Sequence, residues 1–85
     1  MNPALHKSFK KDFRKLPEKI QEQFFERAAL FFENRFNPLL NNHSVDAAYP
    51  GCRSINITGN YRAIFREENG DAEFLHIGTH SQLYG

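Results

Sequence analysis

Arg53-Ser54-Ile55-Asn56-Ile57, Tyr61-Arg62-Ala63-Ile64-Phe65 and Glu73-Phe74-Leu75-His76-Ile77 decide the fold. Apolar and polar residues alternate through the first two, the period of a half-buried strand, and the third reads as a strand after them. Thr58-Gly59-Asn60 and Glu68-Asn69-Gly70-Asp71 supply the connections, and Asn-Gly is the strongest short hairpin signal. Three strands joined by tight turns make an antiparallel meander, whose apolar face must be covered.

Upstream, Leu39 to Gly51 is polar and turn-rich, with Asn41-Asn42-His43-Ser44 and Tyr49-Pro50-Gly51. Before that the period is helical. Phe9, Phe13 and Leu16 fall on one face, with Ser8 expected to cap the helix through its hydroxyl. Pro17 suits a first helical turn, where its missing N–H costs nothing, so it opens a second helix. Ile20, Phe24, Ala28, Phe31 and Phe32 form the apolar stripe of that helix, with Phe25, Ala29 and Phe36 beside it. Glu18, Glu22, Glu26 and Arg27 take the wetter side, and Arg35 near the end suits the helix dipole. Asn37-Pro38 is expected to stop it. A weak extra strand is expected around Ala4 to His6. Helices first and strands second mean α+β: an N-terminal helical hairpin packed on a small antiparallel sheet.

The chain has 85 residues, read as a single domain over 1–85. A chain this short is marginal alone, and nine Phe with three Tyr supply the large apolar surfaces a small core needs. No apolar run is long enough to span a bilayer and no signal-peptide pattern opens the chain, so a soluble cytoplasmic protein is expected. The single cysteine, Cys52, excludes an intrachain disulfide framework and a cysteine-rich zinc site. The net charge of +1 conceals an asymmetry: residues 1–36 carry +3 and residues 37–85 carry −2. The excess gathers at Lys7, Lys10, Lys11, Arg14 and Lys15, a cluster able to meet phosphates or an acidic partner. On charge alone the plainer reading is a solvated helix face.

There are four histidines, but no HExxH or paired-cysteine spacing supports a metal, and none is expected. His6 and His76 read as surface or half-buried histidines. The tail Gly78-Thr79-His80-Ser81-Gln82-Leu83-Tyr84-Gly85 follows a strand directly, with Gly78 expected to permit unusual backbone geometry and to begin a turn. His80 thus lies just past a rigid element, and a helical tail would put Tyr84 on its face. Imidazole passes protons near neutrality, and a phenol orients groups or stacks on bases. Spacing alone favours a tail that merely covers the sheet, with Tyr84 as its lid.

Asn42-His43, Gly51-Cys52-Arg53-Ser54, Gly59-Asn60-Tyr61-Arg62-Ala63-Ile64-Phe65 and the whole tail from Gly78, with Leu16-Pro17 between the helices, resemble the RelE/ParE toxin superfamily. The resemblance is nearest to its YafQ-like messenger-RNA interferases, and Gly-Thr-His…Leu-Tyr-Gly is its most specific part. It implies a RelE-like fold and a type II toxin that cleaves messenger RNA on the ribosome as an endoribonuclease. It also implies a cognate antitoxin protein as partner, and no cofactor. His80 matches the C-terminal catalytic histidine, Tyr84 the aromatic four residues on, and His43 the histidine before the sheet. Arg62 resembles the strand arginine of the RelE branch. Asn60 stands where the YafQ-like branch has an acidic residue and Asn56 where it has another histidine; both are departures, as is the low net charge.

Metal-free cleavage by 2′-OH attack then needs proton transfer, given to His80 and His43 in an unassigned order. It also needs charge stabilisation by Arg62 and orientation or stacking by Tyr84. Arg53 is a further candidate for that stabilisation, and Lys7, Lys10, Lys11, Arg14 and Lys15 are expected to contact rRNA, since phosphate binding is largely electrostatic. Arg53, Asn60, Lys10, Lys11 and Arg14 are the expected RNA-binding residues. The competing reading of Arg62 is a surface residue paired with Glu67 or Glu73. Two other functions remain open: a ParE-like inhibitor of DNA gyrase, and a domain that keeps only antitoxin binding.

Overall fold

In the computed structural model, which describes residues 3–85, the elements run β1 (Ala4–Leu5), α1 (Lys7–Phe13), α2 (Glu18–Glu33) and a 3-10 turn (Pro38–Leu40). Then come β2 (His43–Ser44), β3 (Cys52–Asn56), β4 (Tyr61–Glu68), β5 (Asp71–Thr79) and α3 (His80–Tyr84). The strands form one sheet of order β1-β5-β4-β3-β2, antiparallel except where β1 runs parallel to β5. This is the expected α+β architecture, with β1 as the weak strand before Ser8 and β2 as an edge strand inside the turn-rich stretch.

Glu68 pairs with Asp71 across Asn69 and Gly70, whose φ angles of 53° and 85° are the paired positive values of a type I′ turn. Between β4 and β5 the register then slips. Ile64 pairs with His76 but Phe65 with Phe74, leaving Leu75 as the extra residue of a bulge. Ala72 and Phe74 join the helix-facing core before the bulge, and Ile77 joins it after. The insertion therefore turns His76 away from the core. Ser8 Oγ donates to the Leu75 carbonyl at 2.8 Å, fastening α1 to the bulge.

Phe9 of α1, Phe24, Ala28 and Phe31 of α2, and Ile55, Ala63, Phe65, Phe74 and Ile77 of the sheet make the core. Phe74 sits at its centre, with ring centroids 5.3 Å from Phe24, 5.5 Å from Phe65 and 5.7 Å from Phe31. Such tilted and edge-on pairs add about 0.5–1.5 kcal/mol each beyond burial, which matters in so short a chain.

Four expectations are corrected. His6, not Ser8, caps α1: its Nδ1 accepts from the Ser8 amide at 3.1 Å. Helix α2 stops at Glu33, because Asn34 is already extended, and Asn37 instead caps the 3-10 turn by accepting from the Leu39 amide. Arg35 is thus outside the helix and serves no dipole. It ion-pairs with Glu67 at 3.0 Å, donates to the Gly70 carbonyl at 2.7 Å and lies over the Phe31 ring. The stripe Ile20, Phe24, Ala28, Phe31 and Phe32 does pack on the core, but the residues expected beside it are exposed: Phe25 is 50% and Phe36, beyond the helix, 66% exposed, and Ala29 is exposed too. Pro17 does open α2, its carbonyl accepting from the Ile20 and Gln21 amides.

Candidate active site

Because Ala63 and Phe65 point into the core, Arg62 and Ile64 point to the other face of the sheet. Ser54 and Asn56 join them there, paired with Ile64 and Arg62 respectively. The segment 45–50 and α3 lie on this second face, and between them runs a groove of about 500 Å³. It is lined by His43, Arg62, His80 and Tyr84 together with Asn41, Ser44 and Val45 to Ala48. All four residues expected to carry chemistry therefore meet in one place, although 41 positions separate His43 from Tyr84.

Each is held by identifiable contacts. His43 Nδ1 lies 2.8 Å from the Asn41 carbonyl oxygen. A carbonyl only accepts, so Nδ1 carries the proton, and in the neutral ring Nε2 is left as a free acceptor. Asn41 can present that carbonyl because it adopts the left-handed conformation, φ 46°. Arg62 Nη1 donates to Asn56 Oδ1 at 2.7 Å. Asn56, the departure from the YafQ-like pattern, thus orients the arginine and leaves its other N–H groups unengaged among the described residues. Glu67 pairs with Arg35 and Glu73 with Arg66, so neither carboxylate meets Arg62 and the ion-paired reading of that arginine is set aside.

His80 begins α3, and its ring packs against Tyr84 with centroids 4.8 Å apart. The helix is only five residues long, so it depends on its caps. Thr79 Oγ1 accepts from the Gln82 amide at 3.2 Å, and Gln82 Oε1 accepts from the Thr79 amide at 2.8 Å, a complete capping box. The Thr-x-x-Gln spacing of Thr79 and Gln82 is the local sequence signal for it. The backbone N–H of His80 donates to the Asn60 carbonyl at 3.3 Å. Gly78 is corrected in two respects. It continues β5, which runs on to Thr79, and its φ is not positive. Glycine is needed for space, since a Cβ there would lie 2.9 Å from Gln82 Oε1.

The expected RNA-binding residues are not brought into the groove. Arg53 Nε donates to Asn42 Oδ1 at 2.8 Å and its guanidinium lies 5.8 Å from the centre of the Phe36 ring. Asn60 is exposed and supports His80 only through its carbonyl. Lys10, Lys11 and Arg14 are exposed on α1 or at its end, away from the groove lining. Asp46 is a lining residue that sequence reasoning missed; its Oδ1 accepts from the Gly51 amide at 2.6 Å and closes the turn before β3. Tyr49 was missed as well: its hydroxyl donates to the Leu83 carbonyl in α3. Burial pushes the Tyr49 phenol above its ordinary range, with Tyr84 and Cys52 adding to the effect. Burial also pushes the Cys52 thiol up; Asp46 adds to this and Arg66 opposes it, so the thiol stays protonated at neutral pH and plays a packing role. Among the described residues no three potential metal ligands cluster, and no helix is long and apolar enough to cross a membrane.

The backbone resembles several solved structures along nearly its full length. YafQ from Escherichia coli BL21(DE3) superposes with a TM-score of 0.81 at 16% identity, covering 99% of this chain and 98% of that one. A chain of the E. coli DinJ–YafQ toxin–antitoxin complex gives 0.79 at 16% identity over 99% and 97%. A chain of the RelB–RelE antitoxin–toxin complex from Methanococcus jannaschii gives 0.75 at 18% identity over 95% and 94%. At such identities the likeness is one of fold. No curated protein matches by sequence. The family described as ParE toxin of type II toxin-antitoxin system, parDE, matches residues 4–84. The chain therefore belongs to that family of type II toxins, within the RelE/ParE superfamily.

Proposed function

We propose that this toxin is a ribosome-dependent endoribonuclease that cleaves messenger RNA in the groove between the 45–50 segment and α3. One observation carries the reading: His43, Arg62, His80 and Tyr84 line the same groove. The reaction is an in-line attack of a ribose 2′-oxygen on the adjacent phosphorus, which breaks the bond to the 5′-oxygen. His43 takes the 2′-OH proton through Nε2, the nitrogen its contact with Asn41 leaves free. His80 returns a proton to the departing 5′-oxygen. Arg62, steadied by Asn56, stabilises charge on the phosphorane through charge-assisted hydrogen bonds. Tyr84, packed on His80, stacks on or orients a base. The products are a 2′,3′-cyclic phosphate and a free 5′-OH, and no metal or cofactor is needed.

Lys10, Lys11 and Arg14 supply ribosomal-RNA contacts outside the groove, with Arg53 and Asn60 at its margins. In the cell the partner is a cognate antitoxin, in keeping with the DinJ–YafQ and RelB–RelE complexes of similar fold. The site of action is the cytoplasm. The family match favours a second reading, gyrase inhibition of the ParE kind, for which the lined groove has no use.

Primer extension on a messenger RNA, with and without ribosomes, tests the proposal. Ribosome-dependent cuts leaving cyclic phosphate ends are expected. Intact RNA accompanied by inhibited supercoiling would replace the interferase with the gyrase reading.

A further inference from the structure

Tyr49 lies outside the groove but touches what forms both of its walls. It directly follows the 45–48 segment, whose Val45, Asp46, Ala47 and Ala48 line the groove on the His43 side. That segment is internally bonded: the amides of Ala48 and Tyr49 both donate to the Val45 carbonyl, at 3.0 and 2.8 Å. A displacement of Tyr49 must therefore carry the wall with it. On the other side the Tyr49 hydroxyl donates to the Leu83 carbonyl in α3, and its ring meets Tyr84 edge-on at 5.9 Å. Behind it stands His76, 5.2 Å away, the residue the β5 bulge turned to this face. Tyr49 faces a separate cleft on the far side of α3, lined also by Lys15, Tyr61, His76 and Gln82, so it does not meet what the groove holds.

We infer that Tyr49 is a positioning residue, clamping the 45–48 wall to α3 and so setting the spacing between His43 and His80. The inference rests on the reading of the groove as an RNA-cleaving site. α3 is too short to hold its own orientation, and its capping box secures only the N-terminal end. The contacts from Tyr49 reach Leu83 and Tyr84 at the opposite end, so the two restraints together fix the axis of the helix. A displacement of about 1 Å at a reacting group can cost about 10²-fold in rate, so a clamp of this kind bears on catalysis without touching substrate.

Tyr49→Phe keeps the ring and deletes the donor, which makes it the decisive variant. Steady-state cleavage on programmed ribosomes should fall about fivefold to tenfold in kcat, with KM within about twofold of wild type. Backbone order parameters should fall together in residues 45–48 and in α3, while β4 stays rigid. A purely structural role would lower stability without this split or this paired loosening. Wild-type kcat, or unchanged order in both walls, would overturn the clamp. If the wild-type chain cuts no RNA, the reaction reading fails by itself, and the paired order parameters alone decide whether Tyr49 joins the walls.

Discussion

Gly78→Ala isolates the dependence of the site on α3. The new Cβ would stand 2.9 Å from Gln82 Oε1 and 3.3 Å from Gln82 Cβ, both closer than real Cβ atoms comfortably approach. Swinging the Gln82 amide aside relieves the first overlap, but that amide oxygen is the acceptor for the Thr79 N–H at 2.8 Å. The contact with Gln82 Cβ is not relieved by the swing and pushes the helix outward by a few tenths of an ångström. Losing one hydrogen bond costs about 0.5–1.5 kcal/mol, and weakening the cap adds up to about 1 kcal/mol. A total of about 1–2 kcal/mol, concentrated in a five-residue helix, raises its open population roughly fivefold to thirtyfold. Amide exchange of residues 82–85 should accelerate by that factor while β4 keeps its protection. Cleavage should fall at least about tenfold, because His80 and Tyr84 both ride on this helix. Gln82→Ala, which removes the bond without the overlap, should give a smaller effect of the same kind. Wild-type exchange in α3 and wild-type cleavage in Gly78→Ala would refute the reasoning.

Further outcomes follow from other contacts. Asn56→Ala deprives Arg62 of its 2.7 Å acceptor and should lower cleavage about tenfold, the equivalent of about 1.4 kcal/mol, with little change in the urea midpoint; an unchanged rate would show that Arg62 needs no such partner. Ser54 Oγ is buried and has no hydrogen-bond partner among the described residues, so Ser54→Ala should raise stability by about 1 kcal/mol in urea denaturation, and a loss of that size would indicate an unrecognised partner. Tyr49 has a raised phenol pKa, chiefly through burial and further through Tyr84 and Cys52. Its contribution is therefore fully present below the unfolded value of about 10 and is lost as pH rises through the higher folded value. Thermal unfolding of wild type should weaken above about pH 10 more steeply than that of Tyr49→Phe. Parallel curves would remove the phenol from the account.

The parts of the fold legible in the sequence are those specified locally. Alternation in 53–57 and 61–65, and the Asn69-Gly70 turn, yield β3, β4 and the hairpin because each signal lies within a few residues. The Phe spacing does the same for α1 and α2. What escaped depends on distant partners. β2 is two residues long and is a strand only because His43 meets Ser54 and Ser44 meets Arg53. The bulge at Leu75 hides in Phe74-Leu75-His76-Ile77, where the apolar pattern suits either register. The early end of α2 reflects the extended backbone of Asn34, and Arg35 is drawn instead to Glu67 and Gly70. For the site, the resemblance supplied His43, Arg62, His80 and Tyr84, whereas spacing alone left the tail as a lid. The RNA-binding expectations for Lys10, Lys11, Arg14 and Arg53 rested on charge, which marks a surface without saying which way it faces. Tyr49 and Asp46 carried no local signal, since their roles arise only when the 45–50 segment closes over the sheet.

Single-turnover cleavage of messenger RNA on programmed ribosomes, comparing wild type with His43→Ala and His80→Ala, tests the central claim most directly. The account predicts that each variant still binds the ribosome and loses about 10²–10⁴-fold in cleavage rate, as expected for a positioned acid or base. Cleavage at the wild-type rate by either variant would contradict it.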